Sequence, residues 1–392
     1  MKRTSKLIFW AFMLTVLSLL PFRTVAAANA SNESAQLLLN KFNGTIRDFD
    51  ANRIIWVTND NKTLWLYNRM DGSQIGIYDA TGTDDVIREA KLSAQGVVYN
   101  LNTATGSDIW PPVRTVSVWK DGQAEQIAVD EDLYEMSGDG NVAVLTKHTV
   151  DLTTGQSREP GYDKADVSAD GAVIYTAISA PANTYALYQS LPDGTVTQLA
   201  TPSAQVPQWN GWTLGFYGPL TDGTNIVYRE LVTVDNYRYM NWILRLRSAD
   251  GTVSTLARNP WAKGNYYVPN DDYRINNGWV AYAEYHKEQD SWSVNVRSPE
   301  GAVQQLFEGP AGWSFYSTPL SVDELGPDGT VAYTYHDQSY LYSMKADKVV
   351  SIAKSPSRYQ YREHVFTGPA GTEFRFVAWY RVDGGSLYSV RV

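Results

Sequence analysis

Aromatic rings set beside amides and carboxylates are the side chains in this sequence with the most chemistry to offer. Trp209, Trp212, Phe216, Tyr217, Tyr237, Tyr239, Trp242, Trp261, Tyr266, Tyr267, Tyr273, Trp313, Phe315 and Tyr316 are interleaved with Asn210, Asn236, Asn241, Asn265, Asn270, Asp271 and Asp272. Rings supply apolar area and polar groups fix orientation, so the mixture suits a sugar ring or a peptide side chain. The same rings recur as Pro202…Trp212…Phe216, Pro260-Trp261…Tyr266 and Pro310…Trp313…Tyr316, a pattern that also serves packing between sheets. The candidate ligand-binding residues are Tyr237, Tyr239, Trp261, Tyr266, Tyr267, Asn270, Asp271 and Trp313.

Other constellations carry less. His286 and His336 follow matching runs, AYAEYH and AYTYH, with Glu288, Asp290 and Asp337 nearby. Two histidines without firm ligand spacing read as solvated loop residues, and no metal is expected. Asp48-x-Asp50-x-Asn52 opens like a calcium loop but lacks its turn glycine and closing glutamate, so a structural turn is expected. No Gly-x-Ser-x-Gly, phosphate-binding glycine loop with Lys-Ser/Thr, or His-Glu-x-x-His occurs. With no recognisable nucleophile and base, a binding or interaction module is expected rather than an enzyme, with no cofactor. The rival is a polysaccharide-active hydrolase or lyase using Asp271, Asp272 and Glu284, since two carboxylates suffice for glycosidic cleavage.

The elements that must hold these residues are strands. Lys164 to Ala200 reads as four short strands: Ala165-Val167, Ala172-Ala177, Tyr185-Gln189 and Thr195-Leu199. Asp170-Gly171 and Asp193-Gly194 supply the positive φ of tight turns. The first turn recurs at Asn52, Gln95, Asp139, Asp170, Asp222, Asn277, Asp328 and Ala370, in steps of 43, 44, 31, 52, 55, 51 and 42 residues. A propeller blade needs about 40–45. The expected fold is therefore an all-β propeller spanning 36–392, of eight four-stranded blades, or seven if the short third unit merges with a neighbour. The last unit ends on its third strand, and the orphan run Gln36-Phe42 is expected to supply the fourth and close the ring. Phase puts the Asp-Gly turns on one face. The long connections Asn102-Arg114, Pro202-Thr213, Val234-Asn241, Asn259-Asp272, His286-Ser291 and Gly309-Pro319 then share the other, the expected binding face.

Lys2, Arg3 and Lys6, the apolar run Leu7-Leu20 and small residues at Ala26-Ala30 form a secretory signal over 1–30. The expected product is exported, extracellular or periplasmic. Without cysteine it has no lipid-bearing Cys and no disulfides, and no later run is apolar enough to span a bilayer. Cleavage removes four of 33 basic residues and none of 42 acids, taking the net charge from −9 to −13, which disfavours nucleic acid or an anionic membrane. A monomer meeting a protein or glycan partner is expected.

Ser168-Ala169-Asp170-Gly171, Ile174-Tyr175, Leu187-Tyr188 and Asp193-Gly194 through Leu199 resemble the repeats of TolB-like β-propellers, a likeness spread over 46–392. The resemblance implies the fold. TolB itself works through protein contacts and has an added N-terminal α/β domain, for which the stretch between signal and first unit leaves no room, so its partners do not carry over. Asn102 to Trp110 resembles the tryptophan-docking pattern of pyrroloquinoline-quinone propeller enzymes, with half a second copy at Asp151-Gly155. Its position in a second-to-third-strand loop makes a quinoprotein-like oxidoreductase the remote alternative.

Overall fold

The structure, a computed structural model, describes residues 36–391 apart from 104–111, 159–163, 180–182, 203–207, 210–211, 235–238, 261–272, 312–319, 344–347, 353–361, 368–373, 380–384 and the single residues 43, 51, 69, 138, 169 and 337. Every regular element among the described residues is a strand.

Apart from a short hairpin that pairs Gln208–Trp209 with Trp212–Thr213, strands pair antiparallel in sets of four, and in all but the last set the chain runs from the first strand to the fourth. Eight such sets occur among the described residues, sheets 1 to 8. Their first strands are Gly44–Phe49, Asp85–Leu92, Leu133–Met136, Lys164–Val167, Gly215–Thr221, Tyr273–Asn276, Leu320–Leu325 and Arg362–Thr367. The short third unit forms its own sheet, with strands Leu133–Met136, Val142–Leu145, Thr149–Asp151 and the two-residue Ser157–Arg158. Sheets 4 and 5 are joined by one parallel pairing, Tyr185 with Gly215. Sheet 8 takes its outer strand from the other end of the chain: Gln36–Phe42 pairs antiparallel with Gly385–Arg391, Gln36 opposite Ser389 and Phe42 opposite Gly385. The first strands touch in series from sheet 1 to sheet 8, and that of sheet 8 touches that of sheet 1.

Burial explains the arrangement. Strand residues alternate between faces, and here both faces of a sheet meet a neighbour. Val97 and Tyr99 pack toward sheet 1 while Val98 packs toward sheet 3. Val142 and Val144 pack against Val173 and Tyr175 of sheet 4, whereas Ala143 and Leu145 turn back to sheet 2. Second strands therefore read as near-continuous apolar runs, as in RIIWVT and VAVL. Third strands mix apolar and polar residues, as in SWSVNVR, and the start of the fourth strand is exposed, as in Val303–Pro310. Turn chemistry fixes the phase. In sheet 4 Ser168 N–H donates to Ala172 O (2.9 Å), Gly171 N–H to Ser168 O (2.9 Å), and Ala172 N–H to the Asp170 carboxylate (3.2 Å), with Gly171 at φ 78°. Sheet 3 repeats this through Ser137, Asp139 and Gly140. This all-β architecture of four-stranded antiparallel sheets, packed face to face with their first strands innermost, defines the chain as a β-propeller.

Candidate functional site

Strand bounds place the long connections. Links between sheets occupy only 80–84, 130–132 and 159–163 early in the chain, but 201–214, 261–272, 311–319 and 353–361 later. They leave the end of the sheets opposite the Asp-Gly turns, together with the connections between second and third strands. One of those is shorter than expected. Tyr239 lies in the strand Tyr239–Arg247, paired with Val234, so the connection is 235–238 and not Val234-Asn241. The β-branched run Val232-Thr233-Val234 extends the hairpin. Tyr237, Trp261, Tyr266, Tyr267, Asn270, Asp271 and Trp313 lie outside the described residues, as does most of the Asn102-Trp110 motif.

Of the cluster, Phe216, Tyr217, Trp242 and Tyr273 pack within and between sheets. Phe216 is buried and meets Tyr228 edge to face at 4.8 Å. Tyr217 meets Tyr185 of sheet 4 and Trp242 at 5.1 and 5.7 Å. The Arg229 guanidinium lies 4.8 Å from the ring of buried Tyr273 and 5.8 Å from that of Trp242, bridging sheets 5 and 6. For these four rings, packing is their use.

The interface between sheets 5 and 6 changes character along its length. Near the Asp-Gly turns it is apolar, built from Val227, Leu244, Leu246, Val280 and Tyr282. Toward the long-connection end the same face of sheet 6 becomes polar. Strand Trp279–His286 presents Glu284 and His286, strand Ser291–Arg297 presents Ser291, Ser293 and Asn295, and strand Val303–Pro310 presents Glu308. Register places Glu284, Ser293 and Glu308 in one row, and His286, Ser291 and Pro310 in the next. His286 Nε2 bonds the Ser293 hydroxyl (2.9 Å), Asn295 donates to the same oxygen (3.1 Å), and Ser291 donates to Glu308 (2.8 Å). Burial raises the Glu284 carboxyl above its usual range, with His286 pulling it back. Asp290 accepts from Tyr285 O–H (2.8 Å). No cluster of three metal-ligating side chains occurs among the described residues. Asp50 is a turn residue: it accepts from the backbone N–H groups of Asn52 and Arg53 at 2.8 and 2.7 Å and pairs with Arg53.

A second group lies where the first strands meet. Asp48, Lys91, Glu135, Asp166 and Glu324 each stand four positions before the turn marker of their sheet, and each is half-buried. Burial pushes Asp48 up to about 6, and Asp166 and Glu324 each up to about 7. The charge of Glu135, on sheet 3, adds to the rise at Asp48 on sheet 1, Asp166 on sheet 4 and Glu324 on sheet 7. Sheets 3 and 7 are far apart in the series, and their first strands belong to one closed succession of contacts, so Glu135 senses Glu324 across the middle and these side chains surround a common axis. Burial acts to lower the Lys91 pKa, but Glu135, 3.5 Å away, with Asp48 and Glu89 outweighs it and holds the ammonium above its ordinary value. Asp48 accepts from Leu92 N–H of sheet 2 (2.7 Å) and Asp166 from Thr221 N–H of sheet 5 (2.6 Å), so two carboxylates tie neighbouring inner strands. The sequence carried a signal for this layer: counting four back from each marker returns an acid in sheets 1, 3, 4 and 7.

No family model and no curated protein matches this chain. Among solved structures it is similar in fold to an uncharacterised protein of Listeria monocytogenes EGD-e, at 11% identity and TM-score 0.47 over 83% of this chain and 99% of that one. It is also similar to a chain in a eukaryotic initiation factor structure, at 10% identity and TM-score 0.49 over 92% and 91%. The third is the dihydro-heme d1 dehydrogenase NirN in complex with DHE, at 14% identity and TM-score 0.47 over 87% and 71%.

Proposed function

We propose that this chain is an exported, monomeric, eight-bladed β-propeller that binds a protein or glycan of the cell envelope or surroundings through its long-connection face. The observation that carries the reading is the asymmetry of the connections. One face has short turns between its described strands, many of them Asp-Gly, while the other widens over sheets 5 to 7 at 201–214, 261–272 and 311–319, length that pairing within a four-stranded sheet does not require. Those segments carry Trp261, Tyr266, Tyr267, Asn270, Asp271 and Trp313, with Tyr237 in 235–238 and Tyr239 opening the strand beyond it. The signal over 1–30 and the likeness to TolB-like repeats support export and an interaction role.

Capture from cell-envelope fractions and glycan arrays tests the reading. Trp261→Ala and Tyr239→Ala should each weaken capture by about 1 kcal/mol or more while the melting temperature holds. If they lower the melting temperature and leave the affinity of the folded protein unchanged, the rings pack between sheets and the binding face lies elsewhere.

A further inference from the structure

We infer that the strand Gln36–Phe42 is exchangeable: two copies of this chain folding together form a dimer in which each lends this strand to sheet 8 of the other.

The ladder that holds the strand is the first observation. Its partners are far apart in sequence, Gln36 opposite Ser389 and Phe42 opposite Gly385, so no turn joins it to the sheet it completes. Its register is also broken twice, between Leu37 and Leu39 and between Asn40 and Phe42. In the other seven sheets the ladder between third and fourth strands is broken once or not at all.

The hinge is the second. Gln36–Phe42 is outermost in sheet 8 and Gly44–Phe49 is innermost in sheet 1, with only residue 43 between them. Elsewhere the step from an outer strand to the next inner one takes three residues, at 130–132, or more. Outermost and innermost strands of a four-stranded sheet lie three spacings, about 14 Å, apart. The two steps from Phe42 to Gly44 reach about 7 Å. The start of sheet 1 is accordingly drawn outward: its first strand touches Gly385–Arg391, and a β-carbon at Gly44 would lie 2.2 Å from Val57 O and 2.7 Å from the Trp56 ring.

Exchange removes the sharp return. Residues 36–49 then run on as one extended stretch, and each sheet 8 receives the same pairing from the other copy. No native contact is forfeited, and a short hinge favours such an exchange. A folded ring must first lose the whole closing ladder, so exchange is set while chains fold together, and a chain that has folded alone stays monomeric.

The chain has no cysteine, so Gln36→Cys with Ser389→Cys, directly opposite in the ladder, reports which copy supplies the strand. The chain from residue 31 is unfolded in urea, refolded at low and at high protein concentration, oxidised, and sized by chromatography with light scattering. The expected result is a monomer closed by an internal disulfide at low concentration, and at high concentration a dimer that stays joined on a denaturing gel until reduced. Inserting Gly-Ser-Gly-Ser after Asn43 should lower the dimer fraction at least fivefold. Should the cysteine chain fold poorly, tagged and untagged copies of the unaltered chain replace it, with mixed dimers expected after refolding together and none after mixing folded chains. A chain that stays monomeric at high concentration overturns the exchange. So does a dimer whose disulfides remain internal, since the copies then meet along another surface, and so do mixed dimers from chains already folded. Interchain disulfides with a dimer fraction unmoved by the insertion support the exchange and overturn the hinge as its cause.

Discussion

Gly215 shows how closely two sheets approach. It has φ 137°, and a β-carbon there would lie 2.3 Å from Tyr185 O and 2.6 Å from Tyr185 N. Backbone cannot yield by that much, so Gly215→Ala should destabilise the fold by about 2 kcal/mol or more, read as a lower denaturation midpoint. Glu230 sits 4% exposed and receives both Nε and Nη2 of Arg245, at 2.9 and 2.7 Å. Removing it leaves the half-buried Arg245 with Thr255 as a remaining partner, so Glu230→Ala should cost about 1–3 kcal/mol by the same measurement.

At the scale of elements, the chain ends share a sheet. Without Gln36–Phe42, the strand Gly385–Arg391 would present an unpaired edge, a template for another chain. Deleting residues up to Asn43 should therefore lower the melting temperature and produce concentration-dependent association in size-exclusion chromatography. Deleting only the signal over 1–30 should do neither. Sheet 3 has the shortest outer strand, Ser157–Arg158, yet Arg158 donates to Leu191 O and Gly171 O of sheet 4. One long side chain there replaces ladder bonds that a two-residue strand cannot make.

Across the whole molecule the axial carboxyls couple folding to pH. Asp48, Asp166 and Glu324 hold protons to about 6 to 7 in the fold, above their ordinary 3.8 and 4.5. For acids raised in this way the folded state binds more protons than the unfolded one between about pH 4 and 7. Their contribution is fully present below pH 4 and is lost as pH rises through 6 to 7. Asp166→Asn with Glu324→Gln should thus match the parent near pH 4 and become progressively more stable than it toward pH 8, measured by urea unfolding at each pH. The amide oxygen of the asparagine retains the bond from Thr221 N–H. A constant difference across that range would mean that the two carboxyls do not titrate in this window.

The sequence by itself determined the sheets. Lys164 to Ala200 reads as four strands, and they occur at Lys164–Val167, Val173–Ser179, Thr184–Ser190 and Val196–Ala200, because alternation and Asp-Gly turns act over a few residues and need no distant partner. The edge argument likewise identified Gln36–Phe42, since an incomplete last sheet has one place for a spare strand. Tertiary structure alone decided what each face meets. Nothing local marks Glu284 and Glu308 as neighbours across Ser293, since their row exists only once three strands are in register. Asp48 and Glu324 likewise stand 276 positions apart in sequence and share an axis only because successive sheets bring the last first strand back against the first. Burial by those distant sheets, rather than any residue nearby in sequence, is what raises their carboxyls toward neutrality.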